Sequence, residues 1–560
     1  VERDFRDFMD AVDSNLMRAP KGEPGATPAV VGPVASKVPL DDLGTPQPTP
    51  DQVTMGADVD STPRSRSGDL NERPMDSGRP PVDERSMVHV LRHKHFRTFW
   101  FAAFGSFVGN WFEFIGAQWI VAEKTRDTTW LATLGAAQLL PTLFLGLLGG
   151  IIADRVNRKT LLMVTQFAMM IIALGFFVVV GWHVQIARAF WGDDTHANDF
   201  LLYSFLVLAS LQGITIAFNN PAWQVMIPRL VPRDELVRAI TLQGISFNTA
   251  RALGPAAAGA LLAWAGGEWL FLVNAVSYIG VMIAVTTTPD SPAPARDGKL
   301  SDLSMIVADI KQACAFMFKN KGPRAALLAL MVFSVFGTPV LRFLPLFVSQ
   351  VYHLKEETFG LLTGIMGVGA VVGGLAMRYV PIWYPKHHFI PMSVFLGGIS
   401  ILAFSIATNV WVAGFVMFFV GIFWMWSFNS AMSALQLLVE DSLRGRIMAV
   451  CNMISLGFMP IGPYIASFTG DWIGAAVKTH NPAYWHDGFG TQAGIAVTAV
   501  VLIVAGVVMV IWRTPEVDGL KPGDPGYDRV PGFFRGLTAA SHRPRTLRSS
   551  EPQHVHPKRD

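Results

Sequence analysis

The stretch Gly150-Ile151-Ile152-Ala153-Asp154-Arg155-Val156-Asn157-Arg158-Lys159 sits where one apolar run of about 20 residues stops and another begins, the length that crosses a hydrocarbon core. An acid beside three bases between two membrane helices is costly to place unless it lies at the membrane surface. Gly150 lets two helices approach closely just before the charges. The stretch therefore reads as a tight turn between two spans on one face of a bilayer. Composition agrees: hydrophobic residues make up 51% and charged residues 16%, a balance that excludes an ordinary soluble domain.

Working outward, apolar runs predict an all-α membrane protein with twelve transmembrane helices, over 98–122, 130–152, 160–182, 200–226, 236–264, 269–287, 325–350, 357–380, 388–408, 410–437, 444–470 and 490–512. Basic residues orient them. One set of short loops carries Arg92, Arg97, Arg155, Arg158, Lys159, Arg233, Lys321, Arg378, Arg444 and others, while the opposite set carries only Lys124, Arg126, Arg188, Lys355 and Lys478. The positive-inside rule then places both termini in the cytoplasm of a protein of the cell inner (plasma) membrane. The expected organisation is a cytoplasmic tail over 1–88, a six-helix bundle over 89–287, a linker over 288–323, a second bundle over 324–513 and a cytoplasmic tail over 514–560. The first tail, rich in Pro, Gly, Asp, Ser and Arg from Ala19 onward, cannot bury a core and reads as disordered. Its first residues place Phe5, Phe8, Met9, Val12 and Leu16 on one helical face, and no signal-peptide pattern opens them. The linker part 303–318 is amphipathic and suits a membrane surface. Cys314 and Cys451, both expected on the cytoplasmic side, make neither a metal cluster nor a disulfide.

The two halves echo each other. Ser106-Phe-Val-Gly109 matches Ser334-Val-Phe-Gly337, Thr129-Trp130 matches Thr358-Phe359, Phe218-Asn219 matches Phe428-Asn429, and Gly254-Pro255 matches Gly462-Pro463. The separation is nearly constant before 182–199 and shorter after it, as one insertion in the loop 182–199 produces. Related six-helix halves sandwich a site at the bilayer midplane and rock about it.

With these residues in view, the turn at Gly150–Lys159 resembles the loop between helices 2 and 3 of the major facilitator superfamily, G-x-x-x-D-R-x-G-R-K, with Asn157 at the second glycine. Asparagine is the usual substitute where that turn is left-handed. Asn220-Pro-Ala-Trp-Gln224, Ile227-Pro-Arg-Leu-Val-Pro232, Glu235-Leu-Val-Arg238 and Leu443-Arg-Gly-Arg446 are similar to the branch holding siderophore (enterobactin) and macrolide exporters, over 92–513. The resemblance implies two pseudo-symmetric six-helix halves and export of a small organic molecule by proton-coupled antiport. It also implies a conformational latch at Gly150, Asp154, Arg155, Arg158 and Lys159 that closes the cytoplasmic side. Asp154 would face the positive N-terminal end of helix 11, and Arg155 or Arg158 would meet Asp234 or Glu235. Lysophospholipid transporters share this fold and are the alternative.

Glu113 is the acid placed deep in a span, and Arg251 and Arg342 are the deep bases at similar depth. An ionised side chain there costs roughly 2.5–3.5 kcal/mol on insertion scales and so faces a cavity or a partner. The functional reading is proton coupling, with Glu113 alternating between a proton and an arginine. The structural alternative is a permanent ion pair or a carboxylate snorkelling to the outer interface. Gly254, Pro255 and Gly259 resemble the helix-5 antiporter pattern G-x-x-x-G-P-x-x-G-G, in which Ala250 and Ala258 replace two glycines; a plain structural kink explains them as well. The helix-4 arginine of many drug–proton antiporters is absent: Gln212-Gly213 are present, but Ala209 takes the arginine's place. Asn110, Gln118, Asn219, Gln224, Trp426 and Asn429 are candidate substrate contacts, or else helix packing.

Other classes fit less well. The histidines His183, His353, His387 and His388 all sit at span ends or in loops, and no Gly-x-Ser-x-Gly, His-x-x-Glu-His or Walker A pattern occurs. A membrane-embedded enzyme or an ATP-driven pump is thereby disfavoured, and a receptor lacks a sensor domain. No cofactor or metal is expected. The partners expected are a small-molecule substrate, protons and membrane lipid, the last through the basic C-terminal tail in place of nucleic acid. A monomer is expected.

Overall fold

The computed structural model describes residues 87–153, 156–288, 303–380, 384–439, 441–512 and 514–519. These belong to one compact unit, 83–560; the other unit, 1–82, lies outside the described residues, as do Asp154, Arg155 and the chain beyond 519. The expected tail disorder and N-terminal amphipathic face therefore fall outside them as well.

Every long element is a helix: α1 (Lys94–Thr125), α2 (Thr128–Ala153), α3 (Arg158–Trp191), α4 (Ala197–Leu230), α5 (Leu236–Ala265), α6 (Gly267–Thr286), α7 (Leu303–Lys319), α8 (Lys321–Gln350), α9 (Glu356–Ala376), α10 (Lys386–Ile406), α11 (Val410–Leu438), α12 (Asp441–Phe458), α13 (Ile461–His480) and α14 (Phe489–Ile511). Among the described residues no strand occurs. Among the described residues nine of these helices are long and apolar enough to cross a membrane; α1 and α5, which carry Glu113 and Arg251, are not among the nine, nor are α7, α12 and α13. Large apolar side chains face outward along the bundle, among them Phe144, Phe415 and Val504. Trp264, Trp411 and Trp472 are exposed near one end, and Tyr379 and Trp512 near the other. Aromatic belts at both ends of an apolar surface mark the two interfaces of a bilayer.

Packing repeats in the two halves. In the first, α1 packs on α5 and α6, α2 on α4, and α3 on α4 and α6. In the second, α8 packs on α13 and α14, α9 on α11, and α10 on α11 and α14. The halves meet along two seams, α5 with α9 and α2 with α12 and α13, and α1 also touches α8. Glycines make the tight crossings. A Cβ at Gly149 or Gly213 would overlap carbonyl oxygens of Ala217 and Gln138 between α2 and α4. One at Gly369 or Gly421 would overlap those of Phe418 and Met366 between α9 and α11. This matched pairing is the structural counterpart of the sequence repeat.

The structure differs from the sequence reading at several points. Helix 11 is two helices, α12 and α13, broken at Met459-Pro460, because proline removes a backbone donor and crowds the preceding turn. The stretch 182–199 is mostly helix: α3 runs on to Trp191 and stops at Gly192, which has φ 84°. Asp194 in that turn pairs with Arg188, and this hydrogen bonding holds its carboxyl below the usual carboxylate range. Asn157 is not left-handed: at φ −59° it caps α3, accepting from Lys159 N at 3.0 Å and Thr160 N at 3.4 Å. At Gly150 a Cβ would meet open space; the close approach belongs to Gly149. The amphipathic α7 packs on α8 and α12, burying Ala313 and Met317. Residues 514–519 fold back on the bundle: Val517 is buried, and Asp518 accepts from Lys386 N at 2.6 Å and from the His387 ring.

Candidate functional site

A cavity of about 280 Å³ opens inside the first half and is closed on one side by Arg342 of α8. On α1, Asn110, Glu113, Phe114, Ala117 and Gln118 all line it, at the i, i+3, i+4, i+7, i+8 spacing of one helical face. Gln138 of α2, Gln212 of α4 and Tyr278 of α6 add polar groups, and Phe107, Trp111, Phe176 and Phe247 add aromatic wall.

Glu113 is 4% exposed and is held by amides. Gln212 Nε2 donates to Glu113 Oε1, and Asn274 Nδ2 donates to Oε2 at 2.6 Å. Gln138 Nε2 donates to Gln212 Oε1 at 3.0 Å, which fixes the Gln212 amide with its NH₂ toward the carboxylate. Tyr278, one turn beyond Asn274 on α6, donates to Asn110 Oδ1 at 2.8 Å and accepts from Asn274 Nδ2 at 3.2 Å. Four helices thus share one hydrogen-bonded chain around a single carboxylate. Two glycines permit it. A Cβ at Gly109 would overlap Asn274 Oδ1 and lie 2.7 Å from Ser277 Oγ. Gly213 lets α4 close on α2 beside Gln138.

Arg342 is 6% exposed. Its guanidinium lies over the Phe114 ring, Cζ to centroid 5.4 Å, and fills the space left by Gly135, where a Cβ would sit 2.9 Å from Cζ. Among the described residues it makes no hydrogen bond or ion pair. The expected pairing of Glu113 with an arginine is therefore not present: neither Arg251 nor Arg342 reaches ion-pair distance of it. Arg251 shares the depth of Glu113 but not its direction, and does not line the cavity. Its carbonyl lies against Gly367 of α9.

The other sequence candidates divide. Asn110 and Gln118 line the cavity. Gln118 is 1% exposed, and neither atom of its amide has a partner. Asn219 does not reach the cavity. It accepts from Gln166 at 3.4 Å and lies 3.7 Å from Met169 Sδ, between α3 and α4. Gln224 is exposed. Trp426 is fixed in the second half, donating to Gly373 O at 2.8 Å and packing on Phe389 and Phe423; Asn429 is half-buried there. Gln138, Asn274 and Tyr278 are the groups that sequence reasoning missed. The signal available was polar side chains inside apolar helices, with Asn274 and Tyr278 four apart.

Pro255 and Gly259 lie on the seam between the halves, whereas Gly254 faces α1 within the first half. Gly254 packs on Trp111, while the Pro255 carbonyl and Gly259 touch Gly360 of α9. Of the latch residues, Asp154 and Arg155 lie outside the described residues. Lys159 Nζ donates to Thr286 O at 3.2 Å and Thr288 O at 2.8 Å, capping the end of α6. Arg158 Nε donates to Ala153 O at 3.4 Å. Glu235, expected to meet Arg155 or Arg158, is fully buried and taken by Arg92 at 2.7 Å and His93 at 3.0 Å, tying the start of α1 to the start of α5. Where α1 ends and α2 begins, the halves are clasped. The Thr128 hydroxyl bonds that of Ser467 at 2.6 Å, Gln350 donates to Arg126 O at 3.1 Å, and Trp119 stacks on Phe359.

A family model described as "Transmembrane secretion effector" matches residues 85–520. The staphyloferrin A transporter of Staphylococcus aureus is 24% identical over 393 residues, covering 68% of this chain and 90% of that protein. Macrolide efflux protein A of Streptococcus pyogenes is 22% identical over 366 residues, covering 63% and 84%. Among solved structures, a D-xylose–proton symporter superposes with a TM-score of 0.57 at 14% identity, covering 77% of this chain and all (100%) of that one. That likeness speaks for the fold.

Proposed function

The chain belongs to the transmembrane secretion effectors of the major facilitator superfamily, and from that premise we propose that it exports a small organic molecule, of siderophore or drug type, by proton-coupled alternating access. It is a multi-pass membrane transporter, not an enzyme. The finer reading is that Glu113 carries the coupled proton and that the cavity around it binds the substrate, with twelve spans and both termini in the cytoplasm.

The observation that carries this reading is the Glu113 carboxylate itself. It is buried in the cavity wall, bound to two amides and, among the described residues, to no cation. A carboxylate locked in an ion pair has little reason to take up a proton. One held only by neutral donors exists in either form, because Gln212 and Asn274 serve the ionised state while a protonated carboxyl still accepts. In antiport the substrate leaves with Glu113 ionised and the empty carrier returns with it protonated. The clasp at Thr128–Ser467 and the α5–α9 seam are then the outer gate. The run Gly150–Lys159 is then the inner latch. Names of relatives support the substrate type: one transports staphyloferrin A and another is a macrolide efflux protein.

The test is transport in proteoliposomes under an imposed proton gradient. Wild-type protein is expected to concentrate substrate, whereas Glu113→Gln binds and exchanges it without concentrating it.

A further inference from the structure

We infer that the cavity takes an organic anion, a carboxylate carried on an aromatic body, with the carboxylate on Arg342 and Gln118. The inference rests on the proposed transport cavity and adds the chemistry of its cargo.

Three observations converge. First, Arg342 is a buried cation whose donors are unused among the described residues; the Phe114 face is its one charge-stabilising contact. A desolvated guanidinium without an acceptor is costly, and an anion that brings acceptors relieves that cost. Because Arg342 is not paired with Glu113, loading an anion breaks no ion pair. Second, Gln118 lines the same cavity, and both atoms of its buried amide lack partners. It stands one helical turn, roughly 6 Å of rise, beyond Phe114, the ring that Arg342 covers. A donor-only fork beside an amide with no partner suits a group rich in acceptors. Third, Gly135 leaves the guanidinium its seat, since any side chain there would displace it.

The rest of the wall sets the body of the ligand. Phe107, Trp111, Phe114, Phe176 and Phe247 surround about 280 Å³, which suits a bicyclic aromatic. Glu113 is the other charged group lining the cavity. Both of its oxygens already hold amide donors, so a cation would have to displace Gln212 or Asn274 and then sit near Arg342.

Equilibrium dialysis on the detergent-purified full chain tests this with three probes of one shape: 2-naphthoate, 2-naphthamide and 2-naphthylmethylamine. The acid is expected to bind about 10-fold or more tighter than the amide, and the amine weakest. Arg342→Gln abolishes the preference for the acid, and Arg342→Lys retains part of it. Gly135→Ala, which crowds the guanidinium without removing it, lowers the preference and keeps the test open should Arg342→Gln fail to fold. Equal binding of acid and amide, tighter binding of the amine, saturable binding of none, or a preference that survives Arg342→Gln overturns the inference. Dialysis involves no gradient, so failed proton coupling leaves this result untouched.

Discussion

Gly360 offers a direct probe of the seam between the halves. A Cβ at this position would lie 2.5 Å from Pro255 O, 2.7 Å from Gly259 Cα and 2.9 Å from Gly259 N, all backbone atoms. Backbone cannot swing aside as a long side chain does. Gly360→Ala therefore forces α5 and α9 apart by about 1 Å to regain ordinary contact, an overpacking that costs roughly 1–3 kcal/mol. If the seam opens during transport, the whole cost falls on the conformation seen here. The balance then moves toward the opposite one by roughly 5- to 150-fold. The assay is labelling by a membrane-impermeant maleimide. Cys314 and Cys451 are replaced by serine, and a single cysteine is placed at Thr128, a buried residue of the clasp. Gly360→Ala should raise the labelling rate at that position while Gly374→Ala, which meets only a flexible Met425 side chain, leaves it unchanged. An unchanged rate at Thr128 in correctly folded Gly360→Ala protein would refute the claim that this contact is a moving gate.

Two further outcomes follow from the packing. Glu235→Ala should lower thermal stability by about 1.5–3 kcal/mol, one charge-assisted bond's worth, because Arg92 is half exposed and returns to water; Glu235→Gln should recover part of it, and a melting curve like wild type for Glu235→Ala would dismiss the tie between α1 and α5. Deleting residues 1–85 should leave membrane insertion and fold intact, since that composition cannot join an apolar core; loss of membrane-inserted protein on fractionation would contradict this.

Nine helices were legible because apolar runs of spanning length declare themselves, whereas α1 and α5 are diluted by the polar groups they carry, and the repeat was legible in Gly109, Gly254 and their partners. Glu113 stood out as a deep acid. Its environment did not. Depth along a helix gives the level of a side chain, but each residue turns it by about 100°. Arg251 and Glu113 therefore share a level and point to different neighbours. Asn219 and Gln224 were polar residues in the right helix on the wrong side of it. Asn274 and Tyr278 went unnoticed because an amide in an apolar helix gains meaning only from what faces it. Asn157 was read through a pattern that holds glycine, whereas its side chain does the work of an N-cap.

The most direct test of the account is proton-driven accumulation in proteoliposomes, with the transported compound found by screening and Glu113→Gln set beside wild type. Glu113→Gln is expected to keep substrate binding and downhill exchange but not to concentrate substrate, and its transport is expected no longer to vary with pH. Accumulation by Glu113→Gln with an unchanged pH profile would contradict it, leaving Glu113 a structural carboxylate and placing the coupling elsewhere.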